Sequence, residues 1–555
     1  MSNSIEFKLL APNNKAAALI GSFSDWKEIP MQKDEEGYFR TSVKLEDGVY
    51  QYKFRVQSKS WFRKPDEWVE INDPYVTEID RNTGNGVVRI KEEQRIVDTY
   101  VWQHDDKPLP PNQALVIYEL LIPDFFGSEN EPDKRGQYKH AIAKLDYLYE
   151  LGINAIELMP VNKTPGDYNW GYTPSYFFAP QPNYGSTEDL KRLIDECHAR
   201  GIRVIMDQLY NHSSEENPLL QIDRDYWYYH ELHHPDEPEY YWGSEFNYDR
   251  YDEKLGVRPA WEFMGNVVRF WVQEYHIDGI RYDALWQLDN YDFLYWLTKE
   301  ARVAAGSKPF YNIGEDIPQT PDTVIPNGPM DGCWQDSFYH CVKEHITGDT
   351  FDMKRIEEVL DAKRQGFPEG VIKVINYSTN HDHHHLIAEL GERGIFGAEA
   401  FKRVKLGAVL LMTVVGVPLI WMGEEFGQNK HKTTEEPSFL EWSLLKNDLN
   451  RDLFEYYKAL IALRTQTSAL QAGNIEFFYE NPKHKVFAYV RSDDRGSQVV
   501  VVANFSNQYL AGYRIPDFPT NGTWHEWTKD YDIQSDDNQL TVDLAEYEAQ
   551  VFVWQ

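Results

Sequence analysis

Apolar and polar residues alternate in short runs over the first ninety or so residues of the chain. The runs are AAALIGSFSDW, YFRTSVKL, VYQYKFRV and GNGVVRI. They are rich in β-branched and aromatic residues and are separated by Gly, Asp and Asn turns, which is typical of a β-sandwich. We therefore predict an N-terminal sandwich domain over residues 1–95, followed by a polar linker that contains KPLPPN.

A different rhythm follows, in which strand-like apolar runs alternate with amphipathic helical stretches. The strand-like runs are ALVIYELL, INAIELMPV, IRVIMDQ, HIDGIRYDA, FYNIGED, VIKVINYSTNHD and GVPLIWMGEE. One intervening helix is clearly marked, with Ser186 or Thr187 as its N-cap and Gly201 just past its end. Such alternation predicts parallel strands joined by crossover helices, and its length predicts a (β/α)8 barrel over residues 96–470.

Two further segments complete the predicted organisation. Within residues 208–258 the alternation gives way to YWYYHELHHPDEPEYYWGSEFNYD, and long irregular insertions in compact domains are usually functional. Residues 471–555 return to strand-like alternation, as in FFYENPKHKVFAYVRS and SQVVVVANFS. The predicted fold class is α/β, a (β/α)8 barrel with an irregular insertion after its third strand, flanked by N-terminal and C-terminal β-sandwich domains.

Charge and cysteine content narrow the range of partners and compartments. The net charge of −33 over 555 residues would repel nucleic acid and anionic membranes, so a neutral or cationic ligand is favoured. The start of the chain shows no secretory signal, and its most apolar run, LGAVLLMTVVGVPLIWM, is interrupted by Gly416 and Pro418. The three cysteines lack metal-ligand spacing and fit a reducing environment. We predict a cytoplasmic protein that binds neither nucleic acid nor membrane.

Polar residues, most of them ionisable, gather at the ends of the predicted barrel strands, where catalytic groups of such barrels lie. They are Asp207, Asn211, His212, Arg281, Asp283, Glu315, His381 and Asp382. Each end alone has a structural explanation, as a solvated terminus, a salt bridge or a magnesium site. Three carboxylates that share a rim with an arginine and two histidines instead match glycosyl transfer, in which an acid protonates the leaving oxygen and a carboxylate attacks the anomeric carbon. We expect Arg281 to lower the pKa of Asp283 and keep it ionised.

These segments resemble the α-amylase superfamily, glycoside hydrolase family 13. DQLYNH, GIRYDALW, GED and STNHD match its four signature regions, and GINAIELMP and GVPLIWMGEE match its flanking strand motifs. The resemblance covers roughly residues 115–470. The N-terminal pattern GSFSDWK…QYKF…W…NDP…GNG looks like a family 48 carbohydrate-binding module, as found ahead of the barrel in branching and debranching enzymes.

The resemblance implies a role for each matched residue. Asp283 would be the nucleophile, Glu315 the acid and then the base, and Asp382 the third carboxylate, which binds sugar hydroxyls. The implied substrate-binding residues are Tyr172, Asp207, His212, Arg281 and His381. Tyr172 would stack on the sugar, His212 and His381 would hydrogen-bond it, Arg281 would position the nucleophile and Asp207 would support the site.

The sequence departs from the family pattern beside the nucleophile. Many members carry Lys-His there, which serves the acceptor side and calcium binding, whereas this chain has Trp286 and Gln287. The sequence therefore leaves open which acceptor, water or a sugar, the enzyme uses. Asn211 matches a frequent calcium ligand of the family, but the missing histidine leaves a calcium site unsupported. We expect no required metal or cofactor and keep Asn211 as a weak calcium candidate.

Two other motifs invite a binding function. The run HDHHH at residues 381–385 suggests a metal, but neighbouring imidazoles cannot easily face one ion. In the N-terminal domain, glycogen-binding relatives of the module carry contact residues where this chain has Trp26, Lys53, Trp61 and Asn85. Aromatic residues of a sandwich are more often core, and such modules often pack against the barrel instead of binding glucan.

The leading hypothesis is a retaining α-glucan hydrolase that cleaves α-1,4 bonds of starch, glycogen or maltooligosaccharides by double displacement. Alternatives with the same chemistry are branching transfer, α-1,6 debranching and trehalose release. A non-catalytic glucan-binding protein is the alternative of a different class, but a decayed relative should have lost at least one of the three carboxylates. The sequence leaves the substrate length and the oligomeric state open.

Overall fold

Eight parallel strands close into a barrel, and all-β domains precede and follow it. The computed structural model describes residues 4–127, 135–166, 168–325, 328–348, 350–434 and 436–554. The predicted fold class is confirmed. The domain limits at residues 95 and 470 remain predictions, and the strands on either side of the first limit end at Ile96 and begin at Ile117.

The N-terminal domain consists of two antiparallel sheets packed face to face. Its strands are Ser4–Leu10, Ala17–Gly21, Ile29–Pro30, Gln32–Lys33, Tyr38–Lys44, Gly48–Gln57, Trp68–Ile71, Gly86–Lys91 and Gln94–Ile96. Alternate residues of Ser4–Leu10 are buried, as the period-two pattern predicts. Phe7, Leu19 and Phe54 are completely buried between the sheets, so burial of their apolar side chains stabilises the sandwich.

We number the barrel strands 1 to 8 in chain order. They are Ile117–Leu120, Ala155–Leu158, Arg203–Gln208, Gly279–Tyr282, Tyr311–Gly314, Gly332–Trp334, Val374–Tyr377 and Val417–Trp421. The sequence pattern finds all of them except strand 6, which has only three residues and is too short to show a period. A Cβ at Gly332 would meet the carbonyl of Ile372, in the turn just before strand 7, at 2.5 Å, so the close approach of strand 6 to this turn requires glycine.

Helices cover the outside of the barrel and occupy several of its loops. They are Ile122–Phe125, Tyr138–Ile142, Leu145–Leu151, Thr187–Ala199, Pro218–Trp227, Pro259–Glu274, Leu285–Leu288, Tyr291–Ala305, Asp336–Thr347, Met353–Leu360, Leu386–Glu392, Gly397–Thr413 and Asp448–Gln466. Ser186 is the N-cap of Thr187–Ala199, because its side chain accepts a hydrogen bond from the Asp189 backbone N–H. The stretch YKHAIAKLDYLYELG forms two short helices rather than one.

The most apolar run of the sequence forms the helix Gly397–Thr413 and then strand 8, as its internal break predicts. Gly416 makes that break with a φ of +134°, a backbone conformation that residues with a Cβ rarely adopt. Throughout the part of the chain that the structure describes, every helix is too short or too polar to cross a bilayer.

The insertion after strand 3 is less irregular than predicted and joins the N-terminal domain to the barrel. It contains the helix Pro218–Trp227, and it pairs His212–Ser213 with Ser244–Glu245. The N-terminal domain docks on this helix, where Asn14 Nδ2 and the Lys59 backbone N–H both donate to the Ile222 carbonyl at 2.8 Å. The module therefore packs against the insertion.

The C-terminal domain is all antiparallel. Its strands are Asn474–Asn481, Val486–Ser492, Gln498–Asn504, Leu510–Ile515, Gly522–Glu526, Tyr531–Ser535, Leu540–Leu544 and Glu548–Trp554. Six of them form one sheet and the other two form a second. Arg491 anchors the larger sheet to the barrel, because its Nη1 donates to the Thr413 carbonyl at 2.6 Å.

Candidate active site

The carboxyl ends of barrel strands 3, 4 and 5 bring three carboxylates around one arginine. Strand register places Asp207 beside Arg281, while Asp283 and Glu315 directly follow strands 4 and 5. Nη1 of the fully buried Arg281 donates to both Asp207 oxygens at 2.9 Å and to Asp283 Oδ1 at 2.5 Å. Its Nη2 lies 2.9 Å from Glu315 Oε1, an ion pair without hydrogen-bond alignment. The carboxylates of Asp283 and Glu315 thus lie on neighbouring nitrogens of one guanidinium.

A strained turn fixes the path of the chain after Asp283. Ala284 adopts a left-handed conformation with φ 55° and ψ 48°, which costs a residue with a Cβ about 1–2 kcal/mol. The turn aims the Ala284 backbone N–H at Glu315, whose Oε2 accepts it at 2.9 Å. Strain at this position therefore maintains a hydrogen bond between the two loops that carry Asp283 and Glu315.

The loop after strand 7 supplies His381 and Asp382. Glu119, from strand 1, holds His381 twice: it accepts the backbone N–H at 3.1 Å and faces the imidazole Nδ1 at 2.6 Å. The other ring nitrogen lies 3.3 Å from Asp382 Oδ2. The Asp382 side chain is 46 % exposed, so this carboxylate projects into the open cleft, while Asp207 remains buried beneath it.

Burial raises the pKa values of both carboxylates that contact Arg281, but to different extents. Burial raises the pKa of Asp283 to about 6, although the Arg281 charge opposes this rise. The expectation that Arg281 holds the pKa of Asp283 low is therefore wrong in its net direction, because removing the carboxylate from water outweighs the ion pair. Burial raises the pKa of Glu315 further, to about 7, with the charges of Asp283 and Asp382 adding to the rise. Near neutral pH, Asp283 is mostly ionised and Glu315 retains its proton in a large fraction of molecules.

The third carboxylate behaves in the opposite way. Burial alone would raise the pKa of Asp382, but the positive charges of His381 and Arg281 lower it overall. Burial likewise opposes protonation of His381, yet Asp382 and Glu119 raise the pKa of this imidazole to about 9. His381 is thus a cation at neutral pH, with the carboxyl groups of Glu119 and Asp382 on either side of its ring.

Tyr172 and His212 complete one wall of the cleft. The Tyr172 hydroxyl donates to Asp207 Oδ2 at 2.7 Å, and its half-buried ring stacks on His381 at 5.0 Å. His212 Nε2 hydrogen-bonds the Tyr172 backbone carbonyl at 2.8 Å. Burial lowers the pKa of His212, so this imidazole is neutral. The structure therefore brings together all eight residues that the sequence places in the catalytic and substrate-binding set.

Comparison with known proteins assigns the chain to a family. The model of the alpha amylase catalytic domain matches residues 120–447. The chain belongs to the alpha-amylase family. The model of carbohydrate-binding module 48, the isoamylase N-terminal domain, matches residues 1–76, and that of the alpha amylase C-terminal all-beta domain matches residues 479–555. This member of the alpha-amylase family is therefore an enzyme, a glycoside hydrolase of the alpha-amylase type for which transglycosylase activity is also open.

Similar proteins carry several different names within that family. Pullulanase of Bacillus subtilis is 27% identical, with 92% of this chain and 78% of the relative covered. Malto-oligosyltrehalose trehalohydrolase of Saccharolobus solfataricus is 26% identical over 79% of this chain and 81% of the relative. A 1,4-alpha-glucan branching enzyme of Geobacillus stearothermophilus is 25% identical over 92% and 81%. The crystal structure of Bacillus subtilis pullulanase type I complexed with maltose has the same fold, with a TM-score of 0.82, 23% identity and coverage of 100% of this chain and 84% of that chain.

Two residues that contact the predicted set were missed by the sequence analysis. Glu119 and Trp334 are fully buried beside the predicted set, and the Arg281 guanidinium lies 4.4 Å from the Trp334 ring centroid. A carboxylate inside the apolar run ALVIYELL was the available signal for Glu119. Trp334 belongs to the three-residue strand 6, which no periodicity could reveal.

Aromatic side chains from the insertion and from the helix Leu285–Leu288 extend one wall of the cleft away from His212. The His212 ring lies 5.9 Å from Trp242, Trp242 lies 5.9 Å from Tyr240, and Tyr240 lies 5.6 Å from Trp286. His234 stacks on Trp286 at 5.4 Å. We call Trp242, Tyr240, Trp286 and His234 the aromatic wall. Trp286 stands where many members of the family carry Lys-His. This difference in sequence therefore adds an aromatic ring to the wall.

The metal hypotheses from the sequence remain predictions. Asn211 Nδ2 lies 3.4 Å from His212 Nδ1, and calcium binding by Asn211 stays a prediction. The HDHHH histidines face different partners, as expected for adjacent imidazoles: His381 faces Glu119, His383 faces Asp336, His384 faces His431 and His385 faces the Met422 carbonyl.

The four candidate glucan-binding residues of the N-terminal domain contact different partners. Trp61 is 59% exposed and packs against Phe62 and His230 of the insertion. Asn85 donates to Gln51 at 2.9 Å, while Trp26 follows the strand Ala17–Gly21 and donates its backbone N–H to Gly21. Lys53 lies on the strand Gly48–Gln57. Glucan binding by Trp26, Lys53, Trp61 and Asn85 stays a prediction.

Proposed function

We propose that this protein is a retaining α-glucan hydrolase that cleaves α-1,4 bonds through a covalent glucosyl intermediate. The observation that carries the proposal is the placement of Asp283 and Glu315 on neighbouring nitrogens of Arg281 with separated pKa values. Retaining enzymes hold their nucleophile and acid about 5–5.5 Å apart. Because the carboxylates of Asp283 and Glu315 both contact one guanidinium, we expect such a short separation between them.

In the first step, Glu315 donates its proton to the glycosidic oxygen while ionised Asp283 attacks the anomeric carbon. The carbon–oxygen bond to the leaving sugar breaks, and a bond from Asp283 to the glucosyl residue forms on the opposite face. In the second step, Glu315, now ionised, takes a proton from water as that water attacks the same carbon and releases Asp283. The site returns to its starting charges.

The remaining residues would bind the sugar and stabilise positive charge at its ring. Asp382 stays ionised and projects into the cleft, where it can accept hydrogen bonds from hydroxyls as they strengthen in the transition state. The Tyr172 ring offers a face to the pyranose, and His381 can donate from the nitrogen beside Asp382. Asp207 would act through Arg281 and the Tyr172 hydroxyl, both of which it binds.

Glycosyl transfer to a sugar acceptor is the second candidate, and the aromatic wall favours it. Aromatic rings pack well against the apolar faces of sugars. Trp286 and Tyr240 could therefore hold an acceptor sugar where, in hydrolysis, the attacking water would lie. The relatives named pullulanase, trehalohydrolase and branching enzyme differ in the bond broken or the acceptor used. Product analysis from amylose, amylopectin, pullulan and cyclodextrins separates these possibilities. Chain shortening of amylose with retained anomeric configuration supports the proposal, whereas activity on pullulan alone, or new branch points without shortening, contradicts α-1,4 hydrolysis.

Substitution of the two central carboxylates tests the mechanism. Glu315→Gln should lower kcat about 10²- to 10⁴-fold, the usual contribution of general acid–base catalysis, and Asp283→Asn should lower it further because no nucleophile remains. The measurement is reducing-sugar release from maltooligosaccharides, with circular dichroism as the control for folding. Asp292→Asn, on the exposed start of the helix Tyr291–Ala305, is the matched control and should retain activity. Full activity of either folded central variant would refute the assignment.

A further inference from the structure

A second cluster of chemically active side chains lies beside the catalytic loop and takes no part in the mechanism above. It consists of Asp336, His340 and His383, which we call the His–Asp cluster. One possible ligand atom from each residue lies within 4.8 Å of the others. Among the described residues, no other group of three His, Cys, Asp or Glu side chains meets this criterion.

The fold brings these residues together from two adjacent strands. The helix Asp336–Thr347 begins just after strand 6, and the spacing of four between Asp336 and His340 places both on one helical face. His383 lies on the loop after strand 7, which pairs with strand 6. Asp336 is central: its Oδ1 lies 2.9 Å from His383 Nε2, and its Oδ2 lies 3.1 Å from His340 Nε2.

Neighbouring groups orient two of the three side chains. The Tyr377 hydroxyl donates to Asp336 Oδ1 at 3.1 Å. The His383 ring stacks on Tyr339 with 3.8 Å between centroids and an angle of 10° between planes. The backbone of His383 is held on both sides, since its N–H donates to Asn380 Oδ1 at 3.0 Å and its carbonyl accepts from Lys432. Outer hydrogen bonds and packing of this kind are what fix the ligands of metal sites.

We propose that the His–Asp cluster binds one divalent transition-metal ion of the zinc class, with water as the fourth ligand. Two imidazoles and one carboxylate suit zinc, cobalt and nickel, whereas calcium and magnesium prefer oxygen ligands. Tetrahedral bonds of about 2.0–2.1 Å place ligand atoms roughly 3.3 Å apart. The separations of Asp336 Oδ1 from His383 Nε2 (2.9 Å) and of Asp336 Oδ2 from His340 Nε2 (3.1 Å) are close to this value, and one ligand atom from each of the three residues lies within 4.8 Å of the others. The His340 side chain is 44% exposed, so an ion and its water can enter from solvent.

The position of the cluster gives a bound ion a consequence for the active site. His383 directly follows Asp382, the carboxylate that projects into the cleft. An ion on His383 would therefore immobilise the loop that carries Asp382. Metal binding itself does not depend on the proposed hydrolysis, so the two can fail separately.

Zinc titration of the full chain tests the site. After removal of metals with a chelator, isothermal titration calorimetry with Zn²⁺ should show one ion per chain. His340→Ala and Asp336→Asn should each weaken binding by more than about tenfold. The control is His384→Ala, because His384 forms a separate pair with His431 at 3.3 Å and should leave the zinc affinity unchanged. Cobalt in place of zinc should give the visible absorption of a four-coordinate ion.

Three outcomes would overturn the proposal. The first is no stoichiometric zinc binding by the unaltered chain, which would leave the cluster as ordinary hydrogen-bonded ion pairs. The second is equal affinity in His340→Ala and the unaltered chain. The third is loss of binding in His384→Ala with retention in His340→Ala, which would place the ion on the His384–His431 pair. Circular dichroism of each variant confirms that folding is retained, and His340 lies on a helix surface where alanine is well tolerated.

Discussion

At the scale of single residues, the guanidinium of Arg281 organises the chemistry of the cleft. It pairs with Asp207, Asp283 and Glu315 while fully buried. Lysine could not replace it, because a single ammonium cannot place separate donors in a fixed fork. Burial raises the pKa of Glu315, and the charges of Asp283 and Asp382 add to the rise although the charge of Arg281 opposes it. The arginine therefore positions the nucleophile, while burial, with help from the neighbouring carboxylates, keeps a proton on the acid.

The two raised pKa values predict a narrow pH profile. Activity requires Asp283 ionised, so kcat/KM should rise as the pH increases through about 6. It also requires Glu315 protonated, so kcat/KM should fall as the pH increases through about 7. We expect a bell-shaped profile for maltooligosaccharide hydrolysis with its optimum between these values, which belong to the interacting pair as a whole.

An activated aryl glycoside separates the two limbs of the profile. Its leaving group needs no proton, so first-turnover release by Glu315→Gln should keep the rise near pH 6 and lose the fall near pH 7. A fall that persists in Glu315→Gln would show that another group causes the alkaline limb.

At the scale of elements, the closure of the barrel decides which side chains meet. Strand 1 pairs with strand 8, and strand 8 pairs with strand 7, so Glu119 reaches the loop that carries His381. The two residues are 262 positions apart in sequence. Glu119 holds both the backbone and the ring of His381, so it acts as a positioning residue through that histidine.

Removal of the Glu119 carboxylate should misplace His381 and Asp382. We expect Glu119→Ala to lower kcat about 10²-fold, the cost of a displacement near 1 Å at a catalytic group. Glu119→Gln retains an acceptor for the His381 backbone N–H and should recover part of the loss. It also removes a negative charge that raises the pKa of His381, so the pKa of this imidazole, followed by NMR, should fall below about 9. Unchanged His381 titration together with unchanged kcat in Glu119→Gln would contradict the assigned role.

The barrel strands and their loops show which parts of the site could be predicted from the sequence alone. Asp283, Glu315 and Asp382 were predicted to meet because the carboxyl ends of parallel strands share one rim, and the structure brings them to that rim. Strand 6 and its Trp334 were missed because three residues carry no period. The net direction of the Asp283 pKa was missed because it depends on burial, and a sequence shows the arginine two positions away but not the exclusion of water.

At the scale of the whole molecule, the N-terminal domain, the insertion and the cleft form one continuous structure. The domain holds the Ile222 carbonyl of the insertion helix through Asn14 and Lys59. That helix, Pro218–Trp227, leads directly into the segment that carries His234, Tyr240 and Trp242 of the aromatic wall. The domain can therefore affect substrate binding without a glucan site of its own, because it stabilises the segment that lines the cleft.

This connection predicts the effect of loosening the docked domain. The Asn14 side-chain nitrogen donates to the Gln57 and Ile222 carbonyls at 2.8 Å each. Asn14→Ala removes both bonds, at a cost of about 0.5–1.5 kcal/mol for each, while the Ile222 carbonyl keeps its bond from the Lys59 backbone N–H. We expect a lower Tm in calorimetry and a higher KM for long maltooligosaccharides, which would reach the aromatic wall. The kcat for the shortest hydrolysed substrate should stay unchanged, because no catalytic group contacts Asn14. Asn82→Ala, in an exposed turn of the same domain, is the control and should change none of these values. If Asn14→Ala lowers the Tm but leaves the KM for long substrates unaltered, the domain stabilises the fold without supporting the wall.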